Sequence, residues 1–352
     1  MTTVSALGAI VALVVSIVLI LRKVPPAYGM IAGALAGGLV GGADLIQTIS
    51  LMITGAQGIT NAVLRILGAG ILAGVLIESG AANTIAETIV RKVGEKRALL
   101  ALAVATMLLT AVGVFIDVAV ITVSPIALAI AHRADISKMA ILLAMIGGGK
   151  AGNVMSPNPN TIAAADSFHV PLTSLMMAGI IPGLFGLVLA YFLAKRLKHR
   201  GSKVEAHELV VGKHDAALPA FGAAIAAPLV AIILLALRPI AGIAIDPLVA
   251  LPVGGLIGAV VMGQWQHTNQ YMVSGLSRMA PVAIMLLGTG TLAGIIANSG
   301  LKDVLITGLT ASGMPSYLLA PISGALMSMA TASTTAGTAV ASAVFSSTLI
   351  GM

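Results

Sequence analysis

The sequence contains no cysteine, and it has few charged and few aromatic residues. Without cysteine, the chain can form neither a disulfide framework nor a reactive thiolate. Charged residues make up only 9% of the chain, against about 25% in a typical soluble domain. The six histidines show no metal-ligand spacing, and no catalytic or phosphate-binding motif stands in an appropriate context. These absences exclude a soluble protein. They also predict that the chain is not an enzyme and that it binds neither a cofactor nor a metal.

Hydrophobic residues account for 58% of the 352 residues, and the mean hydropathy is +1.07. Apolar runs recur from one end of the chain to the other, which predicts an all-α polytopic membrane protein. Forty glycines and fifteen prolines favour closely packed, interrupted helices. A net charge of +7 is explained by basic cytoplasmic loops and requires no nucleic acid partner. The stretch from Val4 to Leu21 lacks a basic leading region, so we interpret it as the first span.

The sequence repeats itself at an offset of 220 residues. GAGILAGVLIESG at Gly68–Gly80 reappears as GTGTLAGIIANSG at Gly288–Gly300, with seven of thirteen positions identical. The same offset places Gly55 on Gly275 and the first span on the apolar run 221–237. Two homologous halves are the simplest explanation, and convergent packing of glycine-rich helices is the alternative.

The two halves are predicted to be repeats of inverted topology. The first repeat covers 1–194 and the second covers 218–352, and the hydrophilic connector 195–217 between them carries six Lys or Arg. Within the first repeat we expect a re-entrant hairpin at about 99–131 and a broken helix at about 138–166. This gives five net crossings per repeat, and an odd number inverts the second copy. The resulting topology places fourteen of nineteen Lys and Arg on the cytoplasmic side.

The second repeat is predicted to be incomplete. At the offset of 220, Met352 aligns with His132, so nothing corresponds to the segment from 133 to about 200. We expect a C-terminally truncated chain that lacks about 70 residues. A naturally shortened relative is the alternative.

A polar break at membrane depth marks a candidate binding site, because such backbone persists only where protein buries it or a water-filled cavity receives it. The segment 147–160, GGGKAGNVMSPNPN, is the sharpest candidate. Its glycines and prolines are expected to prevent a regular helix, and its polar side chains suit an oxyanion that carries hydroxyls. The alternative is an exposed loop with Lys150 as a snorkelling anchor. The candidate substrate-binding residues are Lys150, Asn153, Ser156, Asn158 and Asn160.

Two further breaks are expected at the hairpin tips, 113–117 and 331–338, which align at the repeat offset. Asp117 is the only acid in the first hairpin, and a carboxylate in a span costs about 2.5–3.5 kcal/mol on insertion scales. It is therefore the candidate for carrying a coupling proton, or it is the N-cap of the following helix, and both roles can coexist. At the second tip, Ser333, Thr334 and Thr335 offer hydroxyls to a substrate, or they bond within a packed helix.

Three segments resemble the gluconate permease family of proton symporters, within the larger ion transporter superfamily. They are GGGKAGNVMSPNPNTIAAADSFHVPLTS at 147–174, ATASTTAGTAVAS at 330–342 and GVFIDVAVITVSPIALAIA at 113–131. The resemblance implies inverted repeats that hold substrate between two hairpin tips and two broken helices. It places the first tip on Phe115, Ile116 and Asp117, the first broken-helix loop on Lys150, Gly152, Asn153, Ser156, Asn158 and Asn160, and the second tip on Ser333, Thr334 and Thr335. The second broken-helix loop has no counterpart in this sequence.

The resemblance also implies a secondary active transporter of the bacterial inner membrane. It would take up a small hydroxylated monocarboxylate, such as gluconate, glycerate or a related sugar acid, in symport with protons. Sodium is the alternative coupling ion, and a homodimer is expected by analogy with wider relatives. The alternative functions are a passive anion channel, which would need a continuous polar path, and a non-transporting membrane scaffold.

Overall fold

The computed structural model describes residues 4–94, 97–205, 218–301, 304, 307, 318–331 and 334–350. Over this part of the chain the structure is nearly all helical, as predicted. The chain forms two compact units. Unit 1 comprises Met1–Ile66, Ile162–Pro171 and Met279–Met352, and unit 2 comprises Leu67–Thr161 and Leu172–Arg278. Each unit therefore draws segments from both predicted repeats, whose boundaries stay a prediction.

The helices are numbered in chain order over the described residues. Those of the first predicted repeat are α1 (Ala6–Leu21), α2 (Pro26–Val40), α3 (Leu45–Gly58), α4 (Thr60–Glu78), α5 (Ala81–Val93), α6 (Ala98–Ala111), α7 (Ile116–Arg133), α8 (Lys138–Val154), α9 (Pro159–Ser167), α10 (Leu172–Ala178) and α11 (Ile180–Arg196). Those of the second are α12 (Phe221–Ala224), α13 (Ala226–Ala241), α14 (Pro247–Val261), α15 (Thr268–Ala297), α16 (Leu319–Thr331) and α17 (Thr334–Ile350).

Several segments are long and apolar enough to cross a membrane. In the first predicted repeat they are α4, α7 and the successive pairs α8–α9 and α10–α11. In the second they are the pair α12–α13 and the helical stretch Trp265–Ala297. Shorter apolar helices accompany them, namely α1, α2, α6 and α14. By the length and composition of its helices, the chain is a multi-pass membrane protein.

Short polar side chains start some of these helices, because the first backbone N–H groups of a helix have no partner within it. Ser5 Oγ accepts a hydrogen bond from the Gly8 backbone N–H at 3.2 Å at the start of α1. Asp44 and Gln47 form a reciprocal capping box at the start of α3. The local sequence thus fixes where these helices begin.

The helix α2 carries a glycine stripe with a period of four, Gly29, Gly33, Gly37 and Gly41, which packs against α1 in unit 1. A Cβ added at Gly33 would lie 2.5 Å from the Ala12 carbonyl oxygen, and one added at Gly37 would lie 2.5 Å from that of Gly8. Such distances are too short for any side chain, so glycine is what allows the two backbones to approach. The stripe therefore serves helix packing.

The helices α6 and α7 of unit 2 cover the segment of the predicted hairpin, whose re-entrant course stays a prediction. Its turn occupies 112–115, and Gly113 there has φ of +99°, a conformation that glycine adopts without the strain of a Cβ. The helix α8 packs beside α6. Thr110 Oγ1 of α6 donates a hydrogen bond to the Gly149 carbonyl oxygen of α8 at 2.8 Å, which ties the hairpin to the broken helix.

The expectation that the glycine run 147–149 prevents a regular helix is wrong. The helix α8 continues through the run to Val154, and the break is confined to 155–158. The physical reason is packing against α6. A Cβ at Gly148 would lie 2.0 Å from the Ala103 carbonyl oxygen, so the glycine permits a close helix contact that offsets its weak helix propensity.

One glycine crossing in unit 1 and one in unit 2 use positions that are related by the offset of 220. In unit 1, α3 crosses the second half of α15, and a Cβ at Gly294 would lie 2.1 Å from the Leu51 carbonyl oxygen. In unit 2, the first half of α15 crosses α4, and a Cβ at Gly74 would lie 2.1 Å from the Tyr271 carbonyl oxygen. Tyr271 is the repeat partner of Leu51, and Gly294 is that of Gly74. This agreement supports two homologous halves, while their inverted orientation stays a prediction.

Candidate functional site

The break between α8 and α9 in unit 2 is built by hydrogen bonds among its own polar residues. The Asn158 side-chain amide donates to Ser156 Oγ at 2.7 Å and to the Asn153 carbonyl oxygen. Asn158 Oδ1 accepts from the backbone N–H of Asn160 at 2.7 Å and of Thr161 at 3.4 Å. An asparagine that accepts from the first turn, followed by proline, is a typical helix start. The break is therefore an organised turn that begins α9.

These bonds separate the predicted binding residues of the loop into two groups. Ser156 and Asn158 are buried and bonded within the turn. Lys150 and Asn153, in the last two turns of α8, are half-buried. Asn160 Oδ1 is buried and accepts no hydrogen bond within the part of the chain that the structure describes. Since buried polar atoms are normally bonded, Asn160 is the loop residue with an unsatisfied acceptor.

Asp117 lies in the first turn of α7 and is exposed. The expectation that it is the N-cap is wrong, because α7 begins at Ile116 with Phe115 as its N-cap residue. A carboxylate in the first turn still interacts favourably with the positive end of the helix dipole. A Cβ at Gly149 would lie 2.7 Å from Ile116 Cγ1. The residues next to Ile116 and Gly149 in the chain are Asp117 and Lys150, so the predicted tip and the predicted broken helix share one region of unit 2.

The second predicted tip belongs to unit 1, between α16 and α17. Thr334 begins α17 and is exposed, and Thr335 is half-buried. Ser333 lies outside the described residues. The helix α16 ends at Thr331, which is the repeat partner of Ala111 at the end of α6. The helices before the two predicted tips therefore end at corresponding places, each within its own unit.

Unit 1 contains a cavity of about 320 Å³, a volume at the lower end of the range for ligand pockets. It lies between α3, the segment 163–169, the second half of α15 and α17. Its walls are largely glycine and alanine. The polar residues of its lining are Thr54, Asp166, Ser167, His169, Asn298 and Ser346.

An ion pair stands at this cavity. Arg65 Nη1 of α4 donates to Asp166 Oδ1 of α9 at 2.6 Å, and the two side chains are 29% and 16% exposed. Both residues lie in segments that qualify as membrane spans. Ionisable residues in spans are costly and mark functional sites by default.

The sequence-based site did not include this pair. Arg65 and Asp166 are 101 positions apart, so no local motif joins them. The signal that could have identified them is the presence of a charge of each sign inside apolar segments. The structure shows that the two charges meet beside a cavity, which sequence spacing does not reveal.

A family model described as "GntP family permease" matches residues 1–352. An uncharacterized transporter of Haemophilus influenzae is 74% identical over 350 residues, which is 99% of this chain and 83% of the relative. The gluconate permease of Pseudomonas aeruginosa is 25% identical, over 94% of this chain and 80% of its own. The D-serine transporter DsdX of Escherichia coli K12 is 23% identical, over 94% of this chain and 81% of its own.

The fold is similar to a solved one. The crystal structure of the YdaH transporter of Alcanivorax borkumensis, described as having an unusual topology, superimposes with a TM-score of 0.63. It is 19% identical in sequence, and the match covers 86% of this chain and 73% of that chain. At this identity the likeness concerns the fold alone.

Proposed function

The chain belongs to the GntP family of permeases, and from this premise we propose that it is a secondary active transporter that takes up a small hydroxylated monocarboxylate in symport with protons. Gluconate, glycerate and related sugar acids are the candidate substrates. The bacterial inner membrane is the proposed location, since spanning α-helices are the architecture of that membrane whereas outer-membrane spans are barrels. The observation that carries the proposal is the family match over residues 1–352.

The names of two relatives define the chemistry of the substrate class. One is called a gluconate permease and the other a D-serine transporter. Gluconate and D-serine both carry a carboxylate and at least one hydroxyl. A site for either therefore needs a cation or several N–H donors for the carboxylate, and amide or hydroxyl groups for the substrate hydroxyl.

The break in unit 2 supplies such groups. The ammonium of Lys150 is the proposed partner of the carboxylate, with Asn153 beside it on α8. Asn160 Oδ1, which is buried and unsatisfied among the described residues, is the proposed acceptor for a substrate hydroxyl. Ser156 and Asn158 shape the turn that presents it. Asp117 is the sequence-based candidate for the coupling proton, and Thr334 and Thr335 are the candidates on the second tip, where Ser333 completes the predicted set.

Uptake into proteoliposomes tests the proposal. With the outside more acidic than the inside, we expect labelled gluconate, glycerate or D-serine to accumulate above its external concentration, and a protonophore to abolish that accumulation. Flux that only equalises the concentrations would indicate a passive channel, and absence of flux would indicate a non-transporting scaffold. Lys150→Ala should weaken substrate binding about tenfold or more, as expected for a lost charge-assisted bond. Lys195→Ala, at the end of α11, is the matched control and should bind normally.

A further inference from the structure

The cavity of unit 1 is separate from the break in unit 2 that forms the predicted binding loop. It has the size of a small ligand pocket, with about 320 Å³ against roughly 300–1,000 Å³ for typical ligand sites. Asp166 of its lining forms an ion pair with Arg65. Buried ion pairs contribute little net stability, because desolvation offsets their attraction.

A comparison of the two repeat copies indicates that the cavity results from specific residues. In the unit 2 crossing, Glu78 accepts a hydrogen bond from Ser274 Oγ at 2.6 Å, and Arg278 Nη2 lies 3.7 Å from Glu78 Oε1. Their repeat partners in unit 1 line the cavity and are Thr54 for Ser274, Gly58 for Arg278 and Asn298 for Glu78. A Cβ at Gly58 would meet nothing within 4 Å. The large charged residues of one crossing are thus replaced by small or neutral ones in the other.

The position of Arg65 also differs between the two copies of the repeat. Arg65 aligns with Met285 at the offset of 220, so the second half carries no arginine at that position. The second copy therefore has an apolar side chain, Met285, where the first copy has a charged one. Packing at this position does not require a charge. Both positions lie in unit 1, where Arg65 is paired with Asp166 of the cavity lining.

We propose that Asp166 and Arg65 form the ionic switch of transport, in which a proton on Asp166 releases the Arg65 guanidinium to bind the carboxylate of the transported acid in the unit 1 cavity. This inference rests on the proposed function. It assigns the coupling proton to Asp166 instead of the sequence-based candidate Asp117, and it makes Arg65 of unit 1 an anion-binding residue in addition to Lys150 of unit 2. In the resting state the Asp166 carboxylate is ion-paired with the Arg65 guanidinium. When a proton binds Asp166, that bond is lost and the substrate carboxylate replaces it.

The charge balance of this exchange fits a symporter. One proton and one monoanion enter together, so the net charge of the cavity is the same before and after loading. Replacing one carboxylate by another also leaves the guanidinium paired in both states, which avoids an isolated buried charge. Proton binding then raises the affinity for the acid. By thermodynamic linkage, acid binding raises the affinity for the proton by the same factor.

Among the described residues that line the cavity, His169 is the titratable residue besides Asp166, and it is exposed in the turn that follows α9. The lining residues of α3, of the second half of α15 and of α17 include no titratable side chain. The pH response assigned to Asp166 therefore has Arg65 and His169 as its charged or titratable neighbours.

Calorimetric titration of the purified protein with gluconate, glycerate and D-serine tests the proposal, using two buffers of different ionisation enthalpy. For the best-bound acid at pH 7.5 we expect the wild type to take up about one proton per ligand, by linkage. Asp166→Asn should take up none, should bind at least about tenfold more tightly at that pH and should lose its pH dependence. The matched control Asp135→Asn removes an exposed carboxylate that pairs with Lys203 outside the cavity, and it should retain proton uptake. Asp117→Asn tests the sequence-based candidate for the coupling proton.

The outcomes separate this inference from the proposed function. If Asp166→Asn still takes up one proton, or if only Asp117→Asn loses the uptake, the switch is wrong while acid transport by the protein stands. If the wild type neither binds nor accumulates any of the three acids, the proposed function fails and this inference fails with it.

A second variant covers the case in which Asp166→Asn alone destabilises the fold. The double substitution Arg65→Met with Asp166→Asn removes both charges and places at position 65 the residue of its repeat partner. We expect it to elute as a folded protein and to lose acid binding at least about tenfold. Binding of wild-type strength by this double variant would overturn the proposal.

Discussion

The two glycine crossings share their backbone packing and differ in the polar residues beside it. A Cβ at Gly55 in unit 1 would lie 2.2 Å from the Gly290 carbonyl oxygen, and one at its repeat partner Gly275 in unit 2 would lie 2.0 Å from that of Gly70. Beyond the glycines, unit 2 has an ion pair where unit 1 has a cavity. The comparison teaches that the glycines specify the fold in both copies, whereas the polar residues beside them are where the copies differ in chemistry.

The largest expected effect comes from filling a crossing. Gly294→Val in unit 1 and Gly275→Val in unit 2 each place a side chain against a carbonyl oxygen. Because backbone cannot move aside cheaply, each variant should lower the free energy of unfolding by about 3 kcal/mol. Thermal unfolding in detergent measures this. The control is Gly58→Ala, where the added methyl meets open space and a slight gain is expected. A tolerated Gly294→Val with a damaging Gly275→Val would show that the two crossings are not equivalent.

The next effect is functional, and it comes from giving unit 1 the residues of unit 2. Gly58→Arg combined with Asn298→Glu copies the Arg278 and Glu78 pair into the cavity lining. We expect gradient-driven uptake to fall at least about tenfold, with thermal stability close to that of the wild type, because the new charges can pair with each other. Uptake at the wild-type rate would show that the cavity is not required for transport.

The smallest effect is expected from removing the unit 2 pair. Glu78→Gln keeps an acceptor for Ser274 and removes the ion pair with Arg278, whose partners are 31% and 37% exposed. Exposed pairs contribute about 0.2–1 kcal/mol, so the unfolding temperature should change little and uptake should not change. A large loss of uptake would place function in both crossings and contradict the contrast between them.

Much of the fold follows from sequence pattern. The apolar stretch at about 99–131, with basic residues at both ends, predicted a helical hairpin there, since apolar runs and their flanking charges are local signals. The triple glycine at 147–149 misled, because the same residue type permits either a loop or a close helix contact. Only the neighbour across the interface, Ala103, decides between them.

The candidate site was less predictable. Asn158 was expected to bind substrate, and in the structure its side chain caps α9, since an asparagine before a proline has a local use as well as a ligand-binding one. The pair of Arg65 and Asp166 was missed because it joins distant segments. Composition shows that each charge is unusual in its span, but only tertiary packing shows that they meet.

Crosslinking in the cysteine-free chain tests the central contrast most directly. Thr54→Cys with Asn298→Cys in unit 1, and Ser274→Cys with Glu78→Cys in unit 2, introduce equivalent cysteine pairs without background thiols. After treatment with a short bismaleimide, uptake of the labelled acid under a pH gradient is measured for both. The unit 1 crosslink should stop uptake by occupying the cavity, and the unit 2 crosslink should leave it intact. Equal uptake after both crosslinks would contradict the assignment of transport to the unit 1 cavity.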